Sequence, residues 1–291
     1  MEAAHSCTPA NYEEHWPLCA TFYISKRGGE RKKSISPTRM GEIRPRSGDK
    51  PPEEVNVVVS GGGPWGPGTP WPPVPVNSSW LIADALPRVV FRDGRPNIRV
   101  ILYPDPLPSS WKAVRETVPR FWDGEKDFFR LYRDPDEPPQ FSVTAVLHMG
   151  MLDKPREAFR LEKHGYKLGY QLPDVDGKYP DHDDLTGGGT WAGVPDRLST
   201  DLDIDTIHRR VESDIEGANI VISHDHPRFI CGYEYFNSLA SLFNRQEKKR
   251  VLFMHTPIEH ESRDIQHGVR IAVKVLESMV DDLDHQESYA E

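Results

Sequence analysis

The sequence predicts a three-layer α/β/α sandwich, with a twisted, mostly parallel but mixed sheet covered by helices on both faces. Two observations carry this. Short runs at residues 55–60, 141–148, 219–223 and 250–255 are rich in β-branched and other apolar residues, as strands buried on both faces are. Segments with apolar residues every three to four positions lie among them, so strands and helices alternate along the chain.

Residues 1–54 mix Pro, Ser, Arg, Lys and Glu with little periodic apolar pattern, and are expected to be largely disordered or loosely attached. A single α/β domain is expected over residues 55–285, followed by a tail at 286–291. Its first strand, VNVVVS at 55–60, stops abruptly at Gly61, Gly62 and Gly63. Residues 61–66 match G-x-G-x-x-G literally, but a dinucleotide site needs a helix opening at the last glycine. Pro67, Pro70, Pro72, Pro73 and Pro75 forbid one, so a long loop is expected instead. Asn77, Ser78 and Ser79 then offer caps for a short helix at 80–86 that Pro87 ends.

Strands are expected at 89–91 and 98–103. A helix from Trp111 to about Phe129, capped by Ser109 or Ser110, should be interrupted near Pro119 and Gly124. After a Pro-rich connector at 133–140, the strand at 141–148 leads to Gly150. That places residues 151–162 at the carboxyl edge of the sheet, where α/β proteins carry their sites. A long polar loop at about 171–200 precedes a helix at 204–213 whose Ile204, Ile207 and Val211 share one face. A final amphipathic helix is expected at 263–284.

The chain is 291 residues long, 37% hydrophobic, with a formal charge of -9. With no basic stripe, nucleic acid is not expected as a partner. No run of about 18 or more apolar residues suggests a membrane span. Three cysteines, Cys7, Cys19 and Cys231, do not describe a disulfide framework, and a cytoplasmic location is expected.

The stretch at 218–240, ANIVISHDHPRFICGYEYFNSLA, is the most informative. It reads as a strand, a turn through His224, Asp225, His226 and Pro227, and a helix. With Pro227 at the first helical position, Asp225 or His226 can cap, and Cys231 falls about one turn inside. The positive end of a helix dipole favours a thiolate there. A lone cysteine in an apolar helix also serves as core packing. His255 ends the strand VLFMH, and Glu162 lies beyond the strand that leads to Gly150. A Cys, a His and a carboxylate converging on one sheet edge would make a nucleophile, its base and the group that orients the base. His224 and His226, two positions apart, are a further candidate pair as metal ligands. His148, ending a buried strand, reads equally as a core histidine or a site residue.

The ordered set VVVSGGGPWG, NSSW, VRETVPRFW, HMGM, REAFRLE, DVDGK, SHDHPRFIC and VLFMHTP resembles the pyroglutamyl peptidase I family, cytosolic cysteine peptidases that remove an N-terminal pyroglutamyl residue. The likeness runs from about Val55 to Val280 and is strongest to fungal members. It implies Cys231 as nucleophile, His255 as base and Glu162 as its orienting carboxylate, with Arg156 or helix N–H groups at the oxyanion. It also implies a lactam pocket at Gly62, Pro64 and Trp65, N-terminally pyroglutamylated peptides as substrates, and no cofactor or metal. Family members usually read T-G-F-x-P-F after the first strand, and two rings hold the lactam. Here Gly62 replaces the first ring and Trp65 keeps the second. The family's Ala-Gly before the nucleophile helix is His226-Pro227, and Lys154-Pro155 stands before Arg156. A family member acting as a binding or regulatory protein is the alternative these departures leave open.

Overall fold

The computed structural model describes residues 54–132 and 135–288. The expectation of a loosely attached extension at residues 1–54 lies outside the described residues but for Glu54. Among those described, a seven-stranded sheet has the order β2-β3-β1-β4-β9-β5-β8. Its strands are β1 (Glu54–Gly61), β2 (Val89–Val90), β3 (Asn97–Leu102), β4 (Ala145–Met151), β5 (Phe159–Glu162), β8 (Ile220–Ser223) and β9 (Val251–Thr256). Strands β3, β1, β4 and β9 run parallel, while β2 pairs antiparallel with β3 and β5 antiparallel with β9. A separate antiparallel pair joins β6 (His164–Tyr166) to β7 (Arg197–Ser199).

Strand alternation divides the core. Val57 and Val59 of β1, Leu147 and Met149 of β4 and Leu161 of β5 meet α1 (Ser78–Asp84), α4 (Ile204–Asp214) and α6 (Ser262–Ser288). Val58, Val146, Val251 and Phe253 point the other way, into α2 (Trp111–Thr117) and α5 (Ile230–Asn244). This is the expected sandwich, and successive side chains on each strand serve opposite layers. No helix among the described residues is long and apolar enough to cross a membrane.

Several boundaries depart from expectation for physical reasons. The α2 helix ends at Thr117 because Pro119 opens a 3-10 turn over Val118–Asp123, and Gly124 follows in the left-handed region. Ser110 stands at its N-cap, yet the Trp111 N–H is met by Asp174 from the distant polar loop. That loop is not structureless: it holds α3 (His182–Thr186), a 3-10 turn at Gly189–Trp191 and β7. The α5 helix begins at Ile230 with Phe229 as N-cap, three residues beyond Pro227, so Cys231 is its second residue. Phe229 is held by Trp71 and Trp111, with ring centroids at 5.2 and 5.7 Å, which fixes the helix start there.

The glycine run after β1 is pinned to α1. Asn77 caps α1 by accepting from the Ser79 N–H, and donates to the Gly63 carbonyl at 3.1 Å. The Gly62 N–H donates to the Ser79 hydroxyl at 3.0 Å. Asn77→Ala removes the cap and one loop contact together. We expect a loss of about 1–3 kcal/mol in unfolding free energy by chemical denaturation.

Candidate active site

All the side chains of the site come from the sheet face that carries α5. His255 follows Val251 and Phe253 on that face of β9, and Glu162 follows Arg160 on β5. The antiparallel register sets Arg160 opposite His255 and Glu162 opposite Phe253. Glu162 and His255 are therefore diagonal neighbours on one face, within reach of long side chains. His255 Nδ1 and Glu162 Oε1 are 2.8 Å apart, and both residues are buried. Glu162 Oε2 has no protein partner.

Cys231 reaches the same point from α5, lines the same cleft as His255 and lies near enough for its sulfur to act on the imidazole. Burial works against a charge on His255. The sulfur charge and hydrogen bond of Cys231, reinforced by those of Glu162, overcome it and push His255 up to about 10. His255 thus holds a proton at neutral pH between two acidic partners. On the β4 side, Gly150 is register-paired with His255, and a Cβ built on it would lie 3.0 Å from Cys231 Sγ. The missing side chain is what lets the sulfur sit over the sheet.

A cleft of about 440 Å³ opens beside Cys231 and His255. Gly62, Trp65, Trp71, Leu172, Phe229 and Glu234 are among its lining residues. The Pro-rich loop closes on itself through paired Trp65–Val74 backbone hydrogen bonds, and Trp71 Nε1 donates to the Pro173 carbonyl at 2.9 Å. Two indoles thus border the cleft although Gly62 carries no ring.

The sequence-predicted residues do not all meet. Cys231, His255 and Glu162 converge, and Gly62 and Trp65 line the cleft. Pro64 is exposed and does not line it. Arg156 is turned away: it stands at φ 60°, its N–H donates to Glu259, and it lines a different cleft with Glu157 and His267. That left-handed turn follows Lys154-Pro155, where the sequence had already departed from the family. His224 and His226 do not join. The His226 ring stacks on Tyr166 at 4.0 Å, and the His224 ring lies beside His164 at 5.7 Å. Among the described residues no group of three or more His, Cys, Asp or Glu is placed to hold a metal ion.

Sequence reasoning missed Gly150 as a site residue, and missed Glu234. Gly150 had a signal, a glycine closing a buried strand. Glu234 had one too: a lone acid in the apolar run ICGYEYF, three residues after the cysteine.

Gly150→Ala is expected to force Cys231 or Phe253 aside, since its Cβ would also come within 2.8 Å of Phe253 Cζ. Overpacking of this kind costs about 1–3 kcal/mol, read from the unfolding midpoint. Alkylation of Cys231 by iodoacetamide at neutral pH should slow at least severalfold, roughly the scale of a lost hydrogen bond.

No protein-family model matches the chain. Human pyroglutamyl-peptidase 1 is 25% identical over 231 residues, covering 79% of this chain and 92% of the human protein. The human pyroglutamyl-peptidase 1-like protein is 29% identical over 133 residues, 46% of this chain and 56% of its own. Among solved structures, pyrrolidone carboxyl peptidase from Thermococcus litoralis aligns with a TM-score of 0.58 at 16% identity, covering 80% of this chain and 96% of that one. The Thermus thermophilus enzyme aligns at 0.51 and 21%, covering 76% and 99%. In sequence the chain is similar to pyroglutamyl-peptidase 1, and in fold to the pyrrolidone carboxyl peptidases.

Proposed function

We propose that the protein is a cysteine peptidase of the cytoplasm that hydrolyses the bond after an N-terminal pyroglutamyl residue. The supporting observation is Cys231 beside the hydrogen-bonded pair His255 and Glu162, at the edge of an indole-lined cleft. His255 holds the proton of Cys231, and the sulfur attacks the pyroglutamyl carbonyl. The N–H groups of Ile230, Cys231 and Gly232, in the first turn of α5, have no intrahelical acceptor and face the developing oxyanion. Collapse of the tetrahedral species breaks the C–N bond as His255 gives its proton to the leaving amine. Water, with His255 taking its proton, then cleaves the thioester, releasing the acid and restoring the thiolate beside protonated His255. Glu162 holds the imidazole with Nδ1 toward the carboxylate and Nε2 toward the sulfur, and compensates its charge.

Substrate binding in this reading rests on Trp65 and Trp71. Gly62 leaves the position of the family's first ring open, and Trp71, packed on Phe229, brings an aromatic wall from farther along the loop. Arg156 is not assigned a part, because it lies off the cleft.

The test is hydrolysis of a pyroglutamyl-amide fluorogenic substrate. The intact chain should release the fluorophore and Cys231→Ala should not. Binding of the substrate without hydrolysis by the intact chain would contradict the peptidase reading and favour a binding protein. Trp71→Ala should raise KM about tenfold with a smaller change in kcat, since an aromatic wall contributes roughly 1 kcal/mol beyond area burial.

A further inference from the structure

Glu234 is a carboxylate buried in an otherwise apolar helix. It stands three residues after Cys231 on α5, is 4% exposed, and lines the cleft shared by Cys231 and His255. Its partners rise from the sheet beneath it. The Ser60 hydroxyl donates to Glu234 Oε1 at 2.9 Å, and His148 Nδ1 lies 2.8 Å from the same oxygen. Ser60 and His148 are register partners on β1 and β4, both fully buried, with Ser60 Oγ 2.8 Å from His148 Nδ1.

The hydrolytic steps use none of these three groups. A buried carboxylate is unfavourable unless donors meet it, and the donors here are gathered on Oε1. His148 does not extend to a ligand: its ring stacks on Phe121 at 5.6 Å and its Nε2 is buried without a partner. Ser60 lies beneath. With Ser60 and His148 both on Oε1 and Glu234 lining the cleft, Oε2 is the oxygen left to meet a ligand.

We propose that Glu234 is a specificity-determining residue whose cleft-side oxygen accepts the ring N–H of the substrate's N-terminal lactam. The proposal rests on reading the cleft as the pyroglutamyl pocket, and supplies a polar contact that its indole walls do not. Indole walls recognise the shape of a five-membered ring but not its ring atom. A carboxylate does, because replacing N–H by O sets two acceptors against each other in a desolvated space. Ser60 and His148 act as positioning residues that fix the carboxylate.

The test compares L-pyroglutamyl amide with its lactone isostere, 5-oxotetrahydrofuran-2-carboxamide, by calorimetric titration into the Cys231→Ala chain, which turns neither over. The lactam should bind about 10- to 100-fold more tightly, the range of a hydrogen bond to a charged group. Adding Glu234→Gln should abolish or reverse the preference, because Ser60 and His148 would hold the amide oxygen and leave the amide NH2, a donor, facing the ligand. Equal binding of lactam and lactone with Glu234 intact, no binding of either, or a preference that survives in a folded Glu234→Gln chain would each overturn the proposal. The first comparison needs no change at Glu234, so it decides even if the glutamine variant does not fold. Fluorogenic turnover by the intact chain separates the two readings. Turnover with equal lactam and lactone binding keeps the peptidase and removes Glu234 from its specificity, while lactam preference without turnover does the reverse.

Discussion

The antiparallel pairing of β5 against β9 is the constraint on which the site depends. Beside the parallel neighbours β1, β4 and β9, this reversed contact puts Glu162 diagonally across from His255. Strand side chains alternate, so a slip of one residue in β5 would turn Glu162 into the α1, α4 and α6 layer and bring Leu161 to the imidazole. Register is held there by the burial of Phe159 and Leu161 on the opposite face and by the parallel pairing of β5 with β8. The core thus specifies the register, and the register specifies the site.

From that point the structure is a stack of dependencies on one face. His255 needs a bare neighbour on β4, which Gly150 supplies, so that Cys231 can approach over the sheet. Cys231 needs a helix start fixed to within one residue, which Phe229 supplies by packing between Trp71 and Trp111. Trp71 depends in turn on the folded Pro-rich loop and its hydrogen bond to Pro173. The result is a proton held on a buried histidine between sulfur and carboxylate, bordered by a cleft that Asp153 and the buried Glu234 also line. Two carboxylate–histidine pairs share this face. Only the Glu162 pair touches the sulfur.

Much of this was legible in the sequence, and the reasons are local. The runs around β1, β4 and β9 are apolar on both phases, which marks them as central strands, and His255 sits near the end of one; the β8 run has the same composition but forms the sheet edge, where Val221 is exposed. The β5 strand was harder to see, because FRLE is short, alternates in polarity and pairs antiparallel. Glu162 was singled out as a carboxylate beyond the strand leading to Gly150, and not as the last residue of a strand of its own. The start of α5 was misplaced because Pro227 satisfies the rule for a first helical residue, while tertiary packing of Phe229 overrides it. Arg156 was placed by family likeness at a point where the chain had changed, and the left-handed turn after Lys154-Pro155 carries it elsewhere. Spacing pointed to His224 and His226 as a pair, but His226 stacks on Tyr166 while His224 lies tilted beside His164, which separates their directions.

The most direct test of the central claim is the pH dependence of kcat/KM for pyroglutamyl-amide hydrolysis, compared between the intact chain and Glu162→Gln. His255 is raised from 6.5 to about 10, so the proton it gives to the leaving amine is present below that value and lost as pH rises through it. The alkaline limb should fall near pH 10 in the intact chain. It should move to lower pH in the variant, which removes a negative charge and its hydrogen bond while burial continues to act against the imidazolium. An alkaline limb that stays in place when Glu162 becomes Gln would contradict the account.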